Sequence, residues 1–520
     1  MAADLPPTTP DAAPPAAVVA PAPAAAEPIF VDAHGFRYAV NGNTLLPRAA
    51  VEAALRDAKT PKEAIDALDR AYRDAGFFLV VIGAQVNNKL VAVQVVQGRI
   101  TGITARPEVA RFLRRVEDRD DLTRAKMLQE TVLLEFFLGR EGTRPRAQFE
   151  KAEEVGGTKL TIAEEPIPGA KPWNAGFSFG NFGSRYSSRY TASANGSLRP
   201  GGGLELTASY TQGIPGLTSD SAGSSYKAGV VGASLVTPWG LYTVSYSNTR
   251  YALGEVTAPL FPSGEIEQGG ITGLQLAYAD EATRVTLTQS LTRISNHQDV
   301  YEGLATLTEQ DYSVAAVGAT YNRSFALWGQ NGSFNAGVTL SKGFSPRSGT
   351  FLPDLPGTPD PRFGLIQANA SVTVGLPAGF SASASVNGQR TDDTLPQNQQ
   401  WVLGGYGNLS AWLPAVVVAD SGALARGTVT TPPWRWGEFS FSGSAFAEAG
   451  WGRFSYRPVN DPYSRALADG GLSVSAFATS GTSATLAYAW PFWYRNIDGR
   501  EREAVDRSRA NLYFTLNQSF

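Results

Sequence analysis

Two histidines, His34 and His297, are the only imidazoles among 520 residues. A serine–histidine–aspartate triad would need one of them as its base. They lie far apart, in segments of different pattern, and His297 sits in the polar run Asn296-His297-Gln298-Asp299, which reads as a solvated external loop. The absence of cysteine removes disulfide frameworks and thiolate metal sites together. No nucleophile-elbow Gly-x-Ser-x-Gly stands in a strand–turn–helix setting, and no phosphate-binding loop is present. The residue chemistry therefore points to no enzyme, metal site or cofactor. A formal net charge of −3 argues against a nucleic-acid partner.

What the chain offers instead is a ladder of short strands over its last two-thirds. Tyr242, Val244 and Tyr246 alternate with Thr243, Ser245 and Ser247; Val285, Leu287 and Leu291 alternate with Arg284, Thr286, Thr288 and Ser290. Leu486, Tyr488 and Trp490 repeat the pattern, and Leu512, Phe514, Leu516 and Phe520 close it. Period-2 alternation is the mark of a strand. The second face is mostly Ser, Thr, Gly, Asn and Gln, which suits a wet lumen with lipid outside. Short turns (near 199–203, 237–240, 279–282, 376–379, 432–437 and 480–483) alternate with long polar stretches (near 212–225, 249–267, 294–310, 343–362, 392–422, 452–469 and 493–509). That asymmetry, with about 16 strands, predicts an outer-membrane barrel with tight turns on one rim and long loops on the other. A large soluble all-β domain is the alternative; it explains neither the loop asymmetry nor the aromatic strand ends. The mean hydropathy of −0.15 is compatible with a barrel, because lumen residues dilute the apolar ones. No apolar run is long enough for a spanning helix.

The first third reads differently. Residues 1–35 are expected to be a disordered, Ala/Pro-rich tether, and a barrel must be exported, so an export signal is expected to have been removed ahead of it. From Phe36 the pattern is mixed α/β. Phe36, Tyr38 and Val40 form a first strand ending at Asn41-Gly42-Asn43. One helix follows Pro47. Another is announced by Thr60 as N-cap, Pro61 at N1 and Glu63 as the capping-box acid, with Gly76 just past its end. Two strands, 77–86 and 89–97, complete a β-α-α-β-β module over 36–103. A second module over 104–168 has a long helix containing Met127, Leu128, Val132, Leu133, Phe136 and Phe137, then a strand pair around 143–149 and 158–163. The charged run Arg114–Asp121 reads as a solvated face.

Two such modules ahead of a 16-stranded barrel resemble the TpsB transporters of two-partner secretion, whose modules are polypeptide-transport-associated (POTRA) domains. Tyr38-Ala-Val-Asn-Gly-Asn-Thr-Leu45 resembles the module's opening strand and turn. Ala75-Gly76-Phe77-Phe78 with Val96-Gln97-Gly98-Arg99-Ile100 resembles its closing hairpin. Asn181-Phe-Gly-Ser-Arg-Tyr-Ser-Ser-Arg-Tyr190 resembles the first barrel strand and loop. Leu403-Gly404-Gly405 and Asp420-Ser421-Gly422 resemble the edges of the long sixth external loop. The resemblance covers 36–520, with the barrel at 169–520 and the inserted loop at 392–422.

In that family the sixth loop folds into the lumen, and a tip arginine pairs with an acid on a later strand. Here the tip is Leu409-Ser410-Ala411-Trp412, with Ser410 in the arginine's place. Glu448 keeps the acid position, on the inward face of Phe439–Gly450 with Ser440, Ser442 and Ser444. Arg426 is a candidate replacement base; alternatively Glu448 is simply wet. Trp412 either wedges the loop against the wall or is an ordinary loop-tip aromatic. The resemblance implies an outer-membrane channel made of periplasmic POTRA modules that capture an unfolded, large, β-rich exoprotein, and a lumen through which a monomeric barrel secretes it. The expected client edge is the strand beginning Phe77, Phe78, Leu79, Val80, Val81 and Ile82, by β-augmentation. An assembly or insertion factor of the same superfamily, and a diffusion porin with a periplasmic extension, are the competing functions.

Overall fold

The computed structural model describes residues 27–184, 186–217, 224–344, 357–456, 463–497 and 512–520. Contacts group the chain into two compact units: residues up to 101 with 118–123 and 151–158, and residues 102–117, 124–150 and 159–520. Most of the expected tether, residues 1–26, lies outside the described residues.

The first unit contains β1 (Ile29–Ala33), β2 (Phe36–Asn41), α1 (Arg48–Arg56), α2 (Pro61–Asp74), β3 (Val80–Asn87) and β4 (Leu90–Gln97). Its sheet runs β1-β2-β4-β3, with β2 parallel to β4. Strand β1 corrects the expectation that the tether extends to residue 35. Ile29 and Val31 are buried while Phe30 and Asp32 are exposed, so this segment has a core face of its own and pairs back on β2 through His34-Gly35. Helix α2 starts as expected: Thr60 Oγ accepts the Glu63 N–H at 3.2 Å. The Glu63 carboxylate accepts from the Lys59 N–H, one residue before the cap. Tyr38, Val51, Leu55, Leu68, Tyr72, Val91 and Val93 form the core. Tyr72 donates to Asn43 Oδ1, and burial pushes its phenol up to about 12. A second correction concerns the closing hairpin. Phe77, Phe78 and Leu79 precede the strand rather than open it. The Phe77 amide bonds to the Tyr72 carbonyl and its ring packs edge-on against Tyr72, which draws it out of the sheet.

The next elements are β5 (Arg99–Thr104), α3 (Pro107–Leu113), α4 (Arg124–Arg140), β6 (Thr143–Lys151) and β7 (Gly157–Pro166), with sheet order β5-β7-β6. This is the β-α-α-β-β order expected of the second module, but it opens at Arg99 rather than at residue 104, because β5 pairs with β7 and not with the first sheet. Helix α4 buries Met127, Val132, Leu133, Leu134, Phe137 and Leu138.

The wall begins with β8 (Trp173–Gly180), β9 (Thr191–Gly201), β10 (Leu204–Gly213), β11 (Ser225–Thr237), β12 (Gly240–Ala252) and β13 (Ser263–Ala279). It continues with β14 (Thr283–Val300), β15 (Ala305–Leu327), β16 (Gln330–Phe344), β17 (Gly364–Gly375) and β18 (Ser381–Arg390). After an inserted hairpin of β19 (Trp401–Leu403) and β20 (Val417–Ala419) come β21 (Ser421–Thr430) and the three-residue β22 (Trp434–Trp436). The last strands are β23 (Phe439–Arg453), β24 (Ser464–Ala478), β25 (Thr482–Arg495) and β26 (Leu512–Ser519). Counting β21 and the short β22, which both pair with β23, as one interrupted strand, sixteen antiparallel strands close as a barrel when β26 pairs with β8. Closure leaves no sheet edge in hydrocarbon, where an unpaired main-chain group has no water to bond.

Val231, Val244, Ile271, Leu291, Val317, Leu340, Val474 and Leu486 point outward and are exposed. In water such a belt would be an aggregation liability; in a bilayer it is the solvated face. Aromatic residues flank the belt. Trp434, Trp436, Phe439 and Phe441 cluster beside one short turn, while Tyr488, Trp490, Phe492 and Trp493 gather near the far end of β25. The stretch 294–310 departs from the expected long loop: β14 and β15 continue to a turn at residues 301–304. His297 is therefore a strand residue, 2.8 Å from the Asp299 carboxylate. The ladder needs only main-chain groups, so it runs on where the outward residues turn charged, as at Arg293 and Asp311. Replacing outward Val317 with Arg should cost up to about 2–4 kcal/mol. That loss is measured as a lower denaturant midpoint for the barrel.

Candidate functional site

The inserted segment between β18 and β21 is welded at its base. Asp420, buried, accepts the Leu395 and Ser455 amides, each at 2.8 Å. The Ser421 hydroxyl exchanges bonds with the Thr391 backbone. From this base β19 and β20 pair as a hairpin. Leu403, Leu409, Leu413 and Val417 of the insert pack with Leu424, Phe446, Leu467 and Ala489 of the wall. The turn depends on Gly404, at φ +108°, where an added Cβ would meet the Leu413 carbonyl oxygen at 2.0 Å.

At the tip, Leu409 adopts φ +70°, a left-handed conformation that costs a branched side chain roughly 1–2 kcal/mol. The Trp412 N–H closes the turn onto the Leu409 carbonyl. Two successive amides of this turn bond to the wall. The Ser410 N–H donates to Glu448 Oε2 at 2.6 Å, and the Ala411 N–H donates to Asp469 Oδ2 at 2.7 Å. The Ser410 hydroxyl faces back into the loop and accepts the Gly407 N–H at 2.9 Å. Trp412 is buried, with its ring edge-on to Tyr494 at 6.0 Å.

The two acceptors and a guanidinium form one row across three strands. Arg426 on β21 is the register partner of Glu448 on β23, which is the partner of Asp469 on β24. Arg426 Nη1 reaches Glu448 Oε1 at 2.5 Å, and its guanidinium lies 4.6 Å from the Phe446 ring centroid. Opposite charges directly across a strand pair attract, and like charges repel. Glu448 thus has a cation on one side and a second carboxylate on the other. Both acids are buried, at 2% and 0% exposure. Buried carboxylates require hydrogen bonds or paired charge, and the loop amides supply part of that demand. A third contact ties the loop to the barrel seam: Tyr406 stacks on Phe182 at 4.9 Å and lies 5.1 Å from Tyr513 of β26.

The structure therefore brings together Leu409, Ser410, Ala411, Trp412, Arg426 and Glu448. Sequence reasoning missed Asp469, because 452–469 reads as a loop. An acid beside the strand-permissive glycines of Ala468-Asp469-Gly470-Gly471 was the available signal. Of the expected client edge, Val80, Val81 and Ile82 lie on β3, at the end of its sheet, and Phe77, Phe78 and Leu79 do not. Among the described residues no group of histidines, carboxylates or cysteines could hold a metal ion.

Because the tip is held through its amides, Ser410→Ala should leave the loop anchored, whereas Ala411→Pro removes the donor to Asp469. The lost charge-assisted bond, about 1.5–3 kcal/mol, should raise the opening equilibrium of residues 404–413 roughly ten- to hundredfold. Amide hydrogen exchange of that segment measures the difference.

Residues 156–468 match the family model for haemolysin secretion/activation proteins ShlB/FhaC/HecB. No curated protein matches the chain in sequence. Among solved structures, CdiB from Escherichia coli is similar at a TM-score of 0.74, with 14% identity over 98% of this chain and 92% of that one. CdiB from Acinetobacter baumannii is similar at 0.67, with 12% identity over 95% and 90%. At these identities the two structures speak for the fold, and the match of the family model over more than half of the chain speaks for the lineage. The chain belongs to the ShlB/FhaC/HecB family of haemolysin secretion/activation proteins, a family of outer-membrane secretion channels.

Proposed function

We propose that this channel secretes an exoprotein through its lumen after the 392–422 segment moves off the wall. One observation carries the reading: the segment's tip is held by two amide–carboxylate bonds inside the barrel, so release needs no covalent step. Arg426 remains beside Glu448 when the tip leaves, because both belong to the wall. In the family resemblance the arginine travels with the loop and its departure strands the acid. Here the charge pair stays intact, and the loop gives up only its own two donors. That lowers the electrostatic cost of opening, since removing one partner of a buried pair costs about 3–5 kcal/mol.

The client is an unfolded chain captured in the periplasm before it enters the lumen. Strand β3 ends its sheet, and Val81 and Val86 on it are exposed. An extended segment can add there by main-chain hydrogen bonds, with alternate side chains reading the client. A large β-rich protein suits this route, since its folding outside would draw the chain forward without nucleotide.

A photo-cross-linking residue at Gln85, on β3, should capture the exported protein, and the same residue at Asp32 on the opposite edge strand should not. Equal capture at both positions, or at neither, would remove β3 as the client edge. In planar bilayers Arg426→Ala should shorten open dwell times, because Glu448 then keeps no cation once the Ser410 amide leaves it. Unchanged dwell times would mean that the segment is not the gate.

A further inference from the structure

Helix α4 lies along the rim of the barrel on the side of the short turns, and its contacts are distributed over its whole length. At its N-terminus Arg124 pairs with Glu281 at 3.0 Å, in the turn between β13 and β14. Mid-helix, Gln129 donates to the Ala277 carbonyl at 3.1 Å. At its C-terminus Arg140 is almost enclosed, its side chain 11% exposed. The guanidinium of Arg140 makes four bonds to the wall: to the Gly203 carbonyl at 2.8 Å, the Ser234 carbonyl at 2.9 Å, the Ser234 hydroxyl at 2.6 Å and Glu205 at 3.2 Å. Glu205 is held from its other side by Arg199. The next residue, Glu141, accepts the Gly202 N–H at 3.1 Å.

The dimensions fit a brace. A helix of 17 residues is about 25 Å long. Five strand spacings, the span from β9 to β14, come to about 24 Å. Gly203 makes the close approach possible: a Cβ there would lie 2.5 Å from the Phe137 ring. Strand β12, in the middle of this arc, and β23, in the middle of the Arg426–Glu448–Asp469 row, stand half a turn apart in the ring of wall strands.

We propose that α4 is a splint, keyed by Arg140, that fixes the second module and the β9–β14 arc as one body and leaves movement to the opposite arc that carries the loop clamp. The Arg140 fork matches the rim by geometry that a lysine cannot reproduce, since one ammonium lacks the planar set of donors. Arg140 is on this account a positioning residue. The docking half of the inference stands on the contacts alone; the part concerning the clamp rests on the gate reading above, and the two are tested separately.

The chain has no cysteine, so spin labels at Glu135→Cys on α4 and Trp328→Cys in the β15–β16 turn report one distance in the full-length protein. A single narrow distribution is expected. It should broaden in Arg140→Ala, broaden less in Arg140→Lys, and broaden in Gly203→Ala, which forces the helix away from the wall side. Retained heat-modifiability on gels shows that each barrel is folded, and Gly203→Ala and Arg140→Lys keep the test open should Arg140→Ala not assemble. A narrow distribution in all three variants overturns the docking role. Hydrogen exchange then tests the splint. Amides at the turn ends of β10, β11 and β13 should be protected roughly tenfold or more above those of β21, β23 and β24, and Arg140→Ala should erase that difference. Equal protection of the two arcs in the parent protein overturns the splint, whatever the gate proves to be.

Discussion

Hydrocarbon offers no partner to an unpaired N–H or C=O, so a sheet in a membrane must close on itself. The rest of this structure depends on that constraint. Closure at β26 and β8 gives a wall whose side chains divide into a lipid face and a lumen face. The lumen face can then hold groups that lipid would not tolerate. Glu448 and Asp469 are two such groups, side by side and buried. Their need for hydrogen bonds is met in part by a guanidinium from the wall and by the amides of an inserted segment. The loop is thus drawn inward by the same rule that closes the barrel, satisfaction of polar groups removed from water.

This arrangement redistributes a familiar pairing. The resemblance to two-partner transporters implies an arginine at the loop tip, and Ser410 stands there instead. Arg426, across the strand pair from Glu448, supplies a guanidinium from the wall. The tip then contributes main-chain donors, which any residue but proline provides. Side chains at 410 and 411 are correspondingly small and fully buried, with Ala411 in the cluster that holds Leu403, Leu424 and Phe446.

Much of the architecture was legible in the sequence. Alternation in segments such as Tyr242–Ser247 marks a strand with one wet and one apolar face, and the barrel fold and family are borne out by the closed wall and the family match. What was not legible has physical causes. Strand β1 has only five residues and follows a proline-rich run, so its two buried residues carry little periodic signal. The tops of β14 and β15 look like loop because their outward residues are charged, yet main-chain pairing persists there. Asp469 was hidden because the polar run 452–469 reads as a loop, although its residues from Ser464 onward belong to β24. The α4 splint could not be read because the polar residues of α4 are spread around its circumference, and a helix without a distinct polar face does not say which neighbours it meets.

The central claim is that the loop tip must leave the wall for a client to pass. The Leu409 side chain reaches Gly450, its Cδ1 3.1 Å from where a Cβ there would stand, so cysteines at these two positions, oxidised directly or through a short disulfide-containing linker, can tether the tip in a chain that has no other thiol. The decisive measurement is export of the exoprotein by the Leu409→Cys/Gly450→Cys protein before and after reduction. The account predicts that the oxidised protein exports none and that reduction restores transport. Export by the oxidised protein at the reduced rate would contradict it.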